Sequence, residues 1–169
     1  MATTNKAKES GQRVGGMGQE QDAISMLTQD HENVRALFEK YDQLSDRSRA
    51  SKKKIATQIC LELTKHSTVE EEIFYPAVRA SADDAEDLVD EAIVEHASAK
   101  ELIAQILSMA PDEDLYDAKV KVLWEQIEHH VEEEEEQMFP KAQEAKLDLV
   151  ALGEAIEARK AEVTLPVSQ

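Results

Sequence analysis

Four histidines, His31, His66, His96 and His130, stand at positions where the surrounding sequence otherwise places apolar residues. Two of them have a glutamate four residues further on, His66 with Glu70 and His130 with Glu134. On a helix, positions four apart project from the same face about one turn apart, so each imidazole and its carboxylate can point together into a core. One histidine on an apolar face is ordinarily a satisfied core residue. Four of them, with two carboxylates, are costly to bury unless something bonds them all. A shared metal centre does this. Two His/Glu pairs and two lone histidines around one volume follow the logic of carboxylate-bridged two-metal sites in helix bundles.

The elements that must position these residues are legible as seams with steps of three and four. The first runs through Ile24, Leu27, His31, Val34, Phe38 and Tyr41, and the second through Ile59, Leu63, His66, Glu70 and Ile73. The third contains Val89, Ala92, His96, Ala99, Ile103 and Ile106, and the fourth Val120, Leu123, Ile127, His130, Glu134 and Met138. Such seams predict an all-α, antiparallel up-down-up-down four-helix bundle. Breaks fall at Ser45-Asp46, Ser81 to Asp84 and Ala110-Pro111-Asp112, with Asp83 or Asp84 and Asp112 as expected helix caps. A short fifth helix is expected over about 148–162, through Val150, Ala155 and Ile156. The bundle domain is taken as 20–162, between a glycine-rich, disordered tail at 1–19 and a C-terminal tail at 163–169.

The second and fourth segments look like a repeat. His66 and His130 each precede a proline, Pro76 or Pro140, by ten residues, and each should see its helix kink or end there. In both, the glutamate lies six residues before the proline. This offset bears on a register choice, because His129 with Glu133 is a rival pair inside the acidic run Glu132–Glu136. The proline spacing and the Leu123-Ile127-Met138 seam favour His130 with Glu134.

Asp30-His31-Glu32, His66 to Glu72, Glu95-His96 and His130 to Glu134 resemble, in order, the motifs of the hemerythrin HHE cation-binding family. The resemblance spans about residues 22–145. It implies a four-helix bundle with an oxygen-bridged centre of two non-haem iron ions. Carried over residue by residue, the metal ligands would be His31, His66, Glu70, His96, His130 and Glu134, with both glutamates able to bridge. Two departures stand out. Oxygen-carrying hemerythrins have a second histidine one turn after the third-helix histidine, where this chain has Lys100. They also have an aspartate five residues after the last histidine, whereas Glu134 is one residue closer and Glu135 occupies that offset. One iron would then have an open position or a substitute such as a tyrosine, which weakens the case for reversible oxygen carriage.

Other residues read more plainly. Glu62 could orient His66 but reads as exposed; Tyr41 reads as packing on the first seam, and Tyr75, beside Pro76, as lying off the second. Lys100 can snorkel to solvent, Lys52-Lys53-Lys54 reads as a solvated face, and Trp124 as core flank. Cys60 is the single cysteine and reads as a reduced, partly buried thiol.

The chain has 36 acidic and 19 basic residues, a formal charge of −17, which argues against nucleic-acid binding and suits a site that attracts cations. No apolar run approaches the ~20 residues of a membrane span, and no signal core is visible, so a cytoplasmic, stand-alone protein is the expectation. The expected partners are small ligands, oxygen, peroxide or nitric oxide, and an unidentified electron donor. Iron storage or buffering and catalase-like peroxide decomposition remain alternatives, and whether the centre turns over is left open.

Overall fold

The computed structural model describes residues 21–82 and 84–165. The expected N-terminal tail lies outside these residues, as do Asp83 and Pro166. Seven α-helices follow in order: α1 Ala23–Asp42, α2 Arg49–Val69, α3 Tyr75–Ser81, α4 Glu86–Ser108, α5 Tyr116–Glu133, α6 Phe139–Glu144 and α7 Leu149–Lys160. There is no strand among the described residues. A π-helical turn, Glu70–Phe74, joins α2 to α3, and a second, Glu134–Met138, joins α5 to α6. Each of these compound segments makes one arm, so four antiparallel arms form the bundle and α7 packs on its side against α1 and α2.

The π turns follow from the prolines. At Pro76 and Pro140 an α-helical ring would meet the carbonyl four residues back. An extra residue in the turn opens the helix there. Its mark is the bond from Tyr75 N–H to Glu70 O and from Phe139 N–H to Glu134 O, five residues apart in each case. The helix resumes instead of ending, with its face advanced by one residue.

The apolar seams pack as two clusters. One holds Val34, Phe38, Ile59, Leu63, Ile103, Leu123 and Ile127. The other holds Leu27, Val69, Phe74, Val78, Val89, Met138 and Ile156. The polar seam residues lie on the same helices between them.

Several expectations at the helix ends are corrected. α4 starts after Ala85, with no side-chain cap, while Asp84 pairs with Lys141 on α6. α5 starts after Leu115, which takes left-handed backbone at φ 72°. The α4–α5 connection closes on itself, with Glu113 accepting from Ala110 N–H at 2.6 Å, and this delays α5 beyond Asp112. Asp112 binds Arg49 instead. Asp22 and Asp148 are the carboxylates that do cap, on α1 and α7.

α7 lies over the expected segment, but its inner face is Gly153 and Ile156, with Val150 and Ala155 outside. A Cβ on Gly153 would lie 2.6 Å from Gln21 O, so the missing side chain is what lets α7 close on the start of α1. The lysine cluster is also structural in part. Lys52 is buried against Asp117 at 2.8 Å, and Lys53 Nζ donates to the carbonyls of Ile106, Leu107 and Met109 at the end of α4. A cation there suits the unpaired carbonyls of a helix C-terminus.

Candidate metal centre

His31 comes from α1, His66 from α2, His96 from α4 and His130 from α5; each is buried. Glu70 and Glu134, the first residues of the two π turns, are 0% and 1% exposed. Their Nε2 and carboxylate oxygens converge in two groups, His31, His66, Glu70 and Glu134, and Glu70, His96 and His130, with donor atoms within 4.8 Å of one another in each. His31 and His66 face each other Nε2 to Nε2 at 3.0 Å, and so do His96 and His130.

Each glutamate reaches an imidazole on its own helix and one across the bundle. Glu70 lies 3.1 Å from His66 Nε2 and 3.4 Å from His96 Nε2. Glu134 lies 3.5 Å from His130 Nε2 and 3.3 Å from His31 Nε2. The site thus has an internal two-fold relation, in which the first half of the chain repeats in the second.

The outward nitrogens follow the same relation. Nδ1 of His31 meets Glu135 at 2.8 Å, that of His66 meets Asp30 at 3.4 Å, that of His96 meets Glu71 at 2.9 Å, and that of His130 meets Glu95 at 2.7 Å. An imidazole that donates from Nδ1 to a carboxylate presents Nε2 as a lone pair and is fixed in orientation. Two lone pairs at 3.0 Å repel unless a proton or a cation lies with them. Glu70 Oε1 and Glu134 Oε2 are buried and make no hydrogen bond, although imidazoles stand near them. Four inward lone pairs and two orphaned carboxylate oxygens are a donor set that fits a pair of metal ions.

Without metal, protons take that role. Burial disfavours the charge on His66, yet Glu70, Asp30 and Glu134 outweigh it and hold the imidazolium up to about 10. Burial is likewise outweighed at His96, where Glu70 and Glu71 raise it to about 9. Burial pushes Glu70 up, but the His66 and His96 charges bring it well below the usual carboxylate range.

Tyr75 is the residue that sequence periodicity misplaces. It is buried, and its hydroxyl donates to Glu134 Oε1 at 2.7 Å and lies 3.3 Å from His96 Nε2. The π turn advances the helix face by one residue and brings Tyr75 under Glu70. In the other half its place is taken by Phe139, which stacks on His31 at 5.7 Å as Tyr75 stacks on His96 at 5.5 Å. Burial and the two glutamates raise the phenol well above its usual value, so it holds its proton.

The remaining candidates fall outside. His129 is 62% exposed, so His130 is the histidine that faces the cluster. Glu135 serves His31 from outside. Glu62 bonds Lys65, and Tyr41 bonds Asp117 at the other cluster, where a cavity of about 500 Å³ lined by Phe38, Lys52 and Trp124 contains none of the six residues. Lys100 is 46% exposed and binds Glu71, as Arg35 binds Glu135 in the other half. Cys60 is fully buried, and burial pushes its thiol up to about 12.

This bundle with a His/Glu layer defines the class. The model of the hemerythrin HHE cation binding domain matches residues 22–142, and the chain belongs to that family. A crystal structure of a hemerythrin HHE cation binding domain-containing protein from Mycobacterium kansasii is similar, with a TM-score of 0.72, 26% identity, and coverage of 84% of this chain and 86% of that one. A protein of Nostoc sp. (strain PCC 7120 / SAG 25.82 / UTEX 2576) described as a DNA nickase is 32% identical over 121 residues, which is 70% of this chain. The match spans 32% of that relative's length.

Proposed function

We propose that the chain is a non-haem di-iron protein that binds or reacts with a small ligand, oxygen, peroxide or nitric oxide. His31, His66, Glu70, His96, His130 and Glu134 would hold the irons. The observation that carries this reading is the two-fold set of four inward Nε2 atoms and two glutamates, each reaching imidazoles of both halves. When bound, the iron pair supplies redox chemistry and an exchangeable position for the ligand.

The chain's own residues prepare that position. The outer carboxylates Asp30, Glu71, Glu95 and Glu135 keep the imidazoles turned inward. Phe74 and Phe139, packed edge to face at 5.6 Å, help keep water from one side. Tyr75 keeps a proton at its hydroxyl beside Glu134 and lies 3.3 Å from His96 Nε2, in the half of the site where oxygen carriers have the second third-helix histidine and this chain has Lys100. Lys100 cannot take that role, since its ammonium is outside on Glu71.

The same hydroxyl favours a second reading, peroxide decomposition, because that reaction must move a proton between two oxygens. Nickase activity is not carried over from the Nostoc relative, as a charge of −17 opposes a DNA backbone. No described helix is long and apolar enough to cross a membrane.

Metal analysis with an optical spectrum tests the proposal. Two irons per chain, with absorption typical of an oxygen-bridged pair, are expected. A purified protein that takes up no iron when iron(II) is supplied without air would overturn it. Mixing the loaded protein with peroxide, and separately with oxygen, then distinguishes turnover from binding.

A further inference from the structure

The four outer carboxylates are not held alike. Arg35 binds Glu135, Lys100 binds Glu71 and Lys160 binds Asp30. At three corners a fixed cation therefore neutralises the carboxylate behind an imidazole. Glu95, at the fourth corner, has no lysine or arginine on it among the described residues. His129 and Glu133 stand there instead.

The geometry of that corner is open. Glu95 Oε2 is committed to His130 Nδ1 at 2.7 Å, while its Oε1 lies 3.9 Å from His129 Nε2. Glu133 Oε1 is 3.7 Å from the same nitrogen. These separations are too long for hydrogen bonds. They are close to the spacing of two ligands on one ion, about 3.4 Å for a tetrahedral ion with donors at 2.0–2.2 Å. His129 and Glu133 also repeat the four-residue chelate spacing of His130 and Glu134, one position earlier in α5 and so turned outward.

We propose that Glu95, His129 and Glu133 form a separate surface site for a divalent transition-metal cation, which supplies at this corner the charge that a side chain supplies at the other three. One imidazole with two carboxylates suits zinc, iron(II) or manganese(II) better than magnesium or calcium, which prefer oxygen alone. Three protein donors leave room for water, so the ion exchanges. Because Glu95 touches both this site and His130, an ion held here stands one carboxylate from the interior. That last link rests on the proposed ligand role of His130; the surface site does not.

The experiment is zinc titration by calorimetry of the full chain after iron loading, with magnesium as competitor. Wild type should bind one zinc beyond its iron, unaffected by equal magnesium. His129→Ala should weaken that binding by at least ~10-fold, the range seen when a metal site loses even a supporting partner. His129→Lys, which places a fixed charge at this corner as Lys100 does at its own, should abolish it. Circular dichroism melts check that both variants fold. Equal zinc binding by wild type and both variants, or full competition by magnesium, would overturn the site. Zinc binding that depends on His129 in a chain holding no iron would leave this site standing and sink the interior reading.

Discussion

Tyr75 donates its hydroxyl to Glu134 Oε1 at 2.7 Å across the bundle, and no equivalent bond exists in the other half because Phe139 occupies the matching place. Among the side chains that face the interior cluster, one oxygen atom thus separates the two halves. Tyr75→Phe would make the two halves alike at this position and leave Glu134 Oε1 without its donor. The metal-free variant should lose about 1–3 kcal/mol, the cost of an unpaired buried acceptor. The loaded variant should show a changed visible spectrum. Unchanged melting and spectrum together would show that the hydroxyl only fills space.

Removing one interior donor should matter far more than removing an outer one. His66→Ala or Glu70→Ala should lower bound iron to less than half the wild-type content, with the helical circular dichroism retained. His129→Ala should keep its interior iron, since that side chain is 62% exposed. If His129→Ala empties the interior and His130→Ala does not, the proposed ligand set fails in α5.

Acid and alkali should act oppositely on the metal-free and loaded forms. In the metal-free chain His66 and His96 are raised to about 10 and about 9, above the ~6.5 of an unfolded histidine. Their stabilising contribution is fully present below ~6.5 and is lost as pH rises through about 9 to 10. The melting temperature of metal-free protein should therefore fall across that window. Metal must displace the same protons, so affinity should rise with pH over it. Thermal melts and metal titrations from neutrality to pH 10 check both signs; metal affinity flat with pH would count against imidazole ligation.

Gly153→Ala should loosen α7. Its Cβ would fall 2.6 Å from Gln21 O and 3.1 Å from Ala23 N, both backbone atoms that cannot swing aside. Overpacking of this kind costs about 1–3 kcal/mol. Hydrogen exchange should show faster exchange in α7 than in α4, and a variant as stable as wild type would show that α7 rides freely on the bundle.

The burial of His31, His66, His96, His130, Glu70 and Glu134 was legible in the chain because each lies on a seam stepping by three and four, and helical geometry alone turns such positions inward. The bundle was legible for the same reason, as was the preference for His130 over its neighbour. Tyr75 was not. Its phase depends on one additional residue in a turn, and the proline that signals a disturbance does not say whether the helix stops or widens. The outer carboxylates were not legible either. Asp30, Glu71, Glu95 and Glu135 stand in or beside the motifs, but nothing in the chain assigns an imidazole to each until packing sets it against one from another arm. Lys52 illustrates the limit in the opposite sense: within a lysine run nothing marks the one whose ammonium is buried, because its partner Asp117 comes from a helix that only folding brings near.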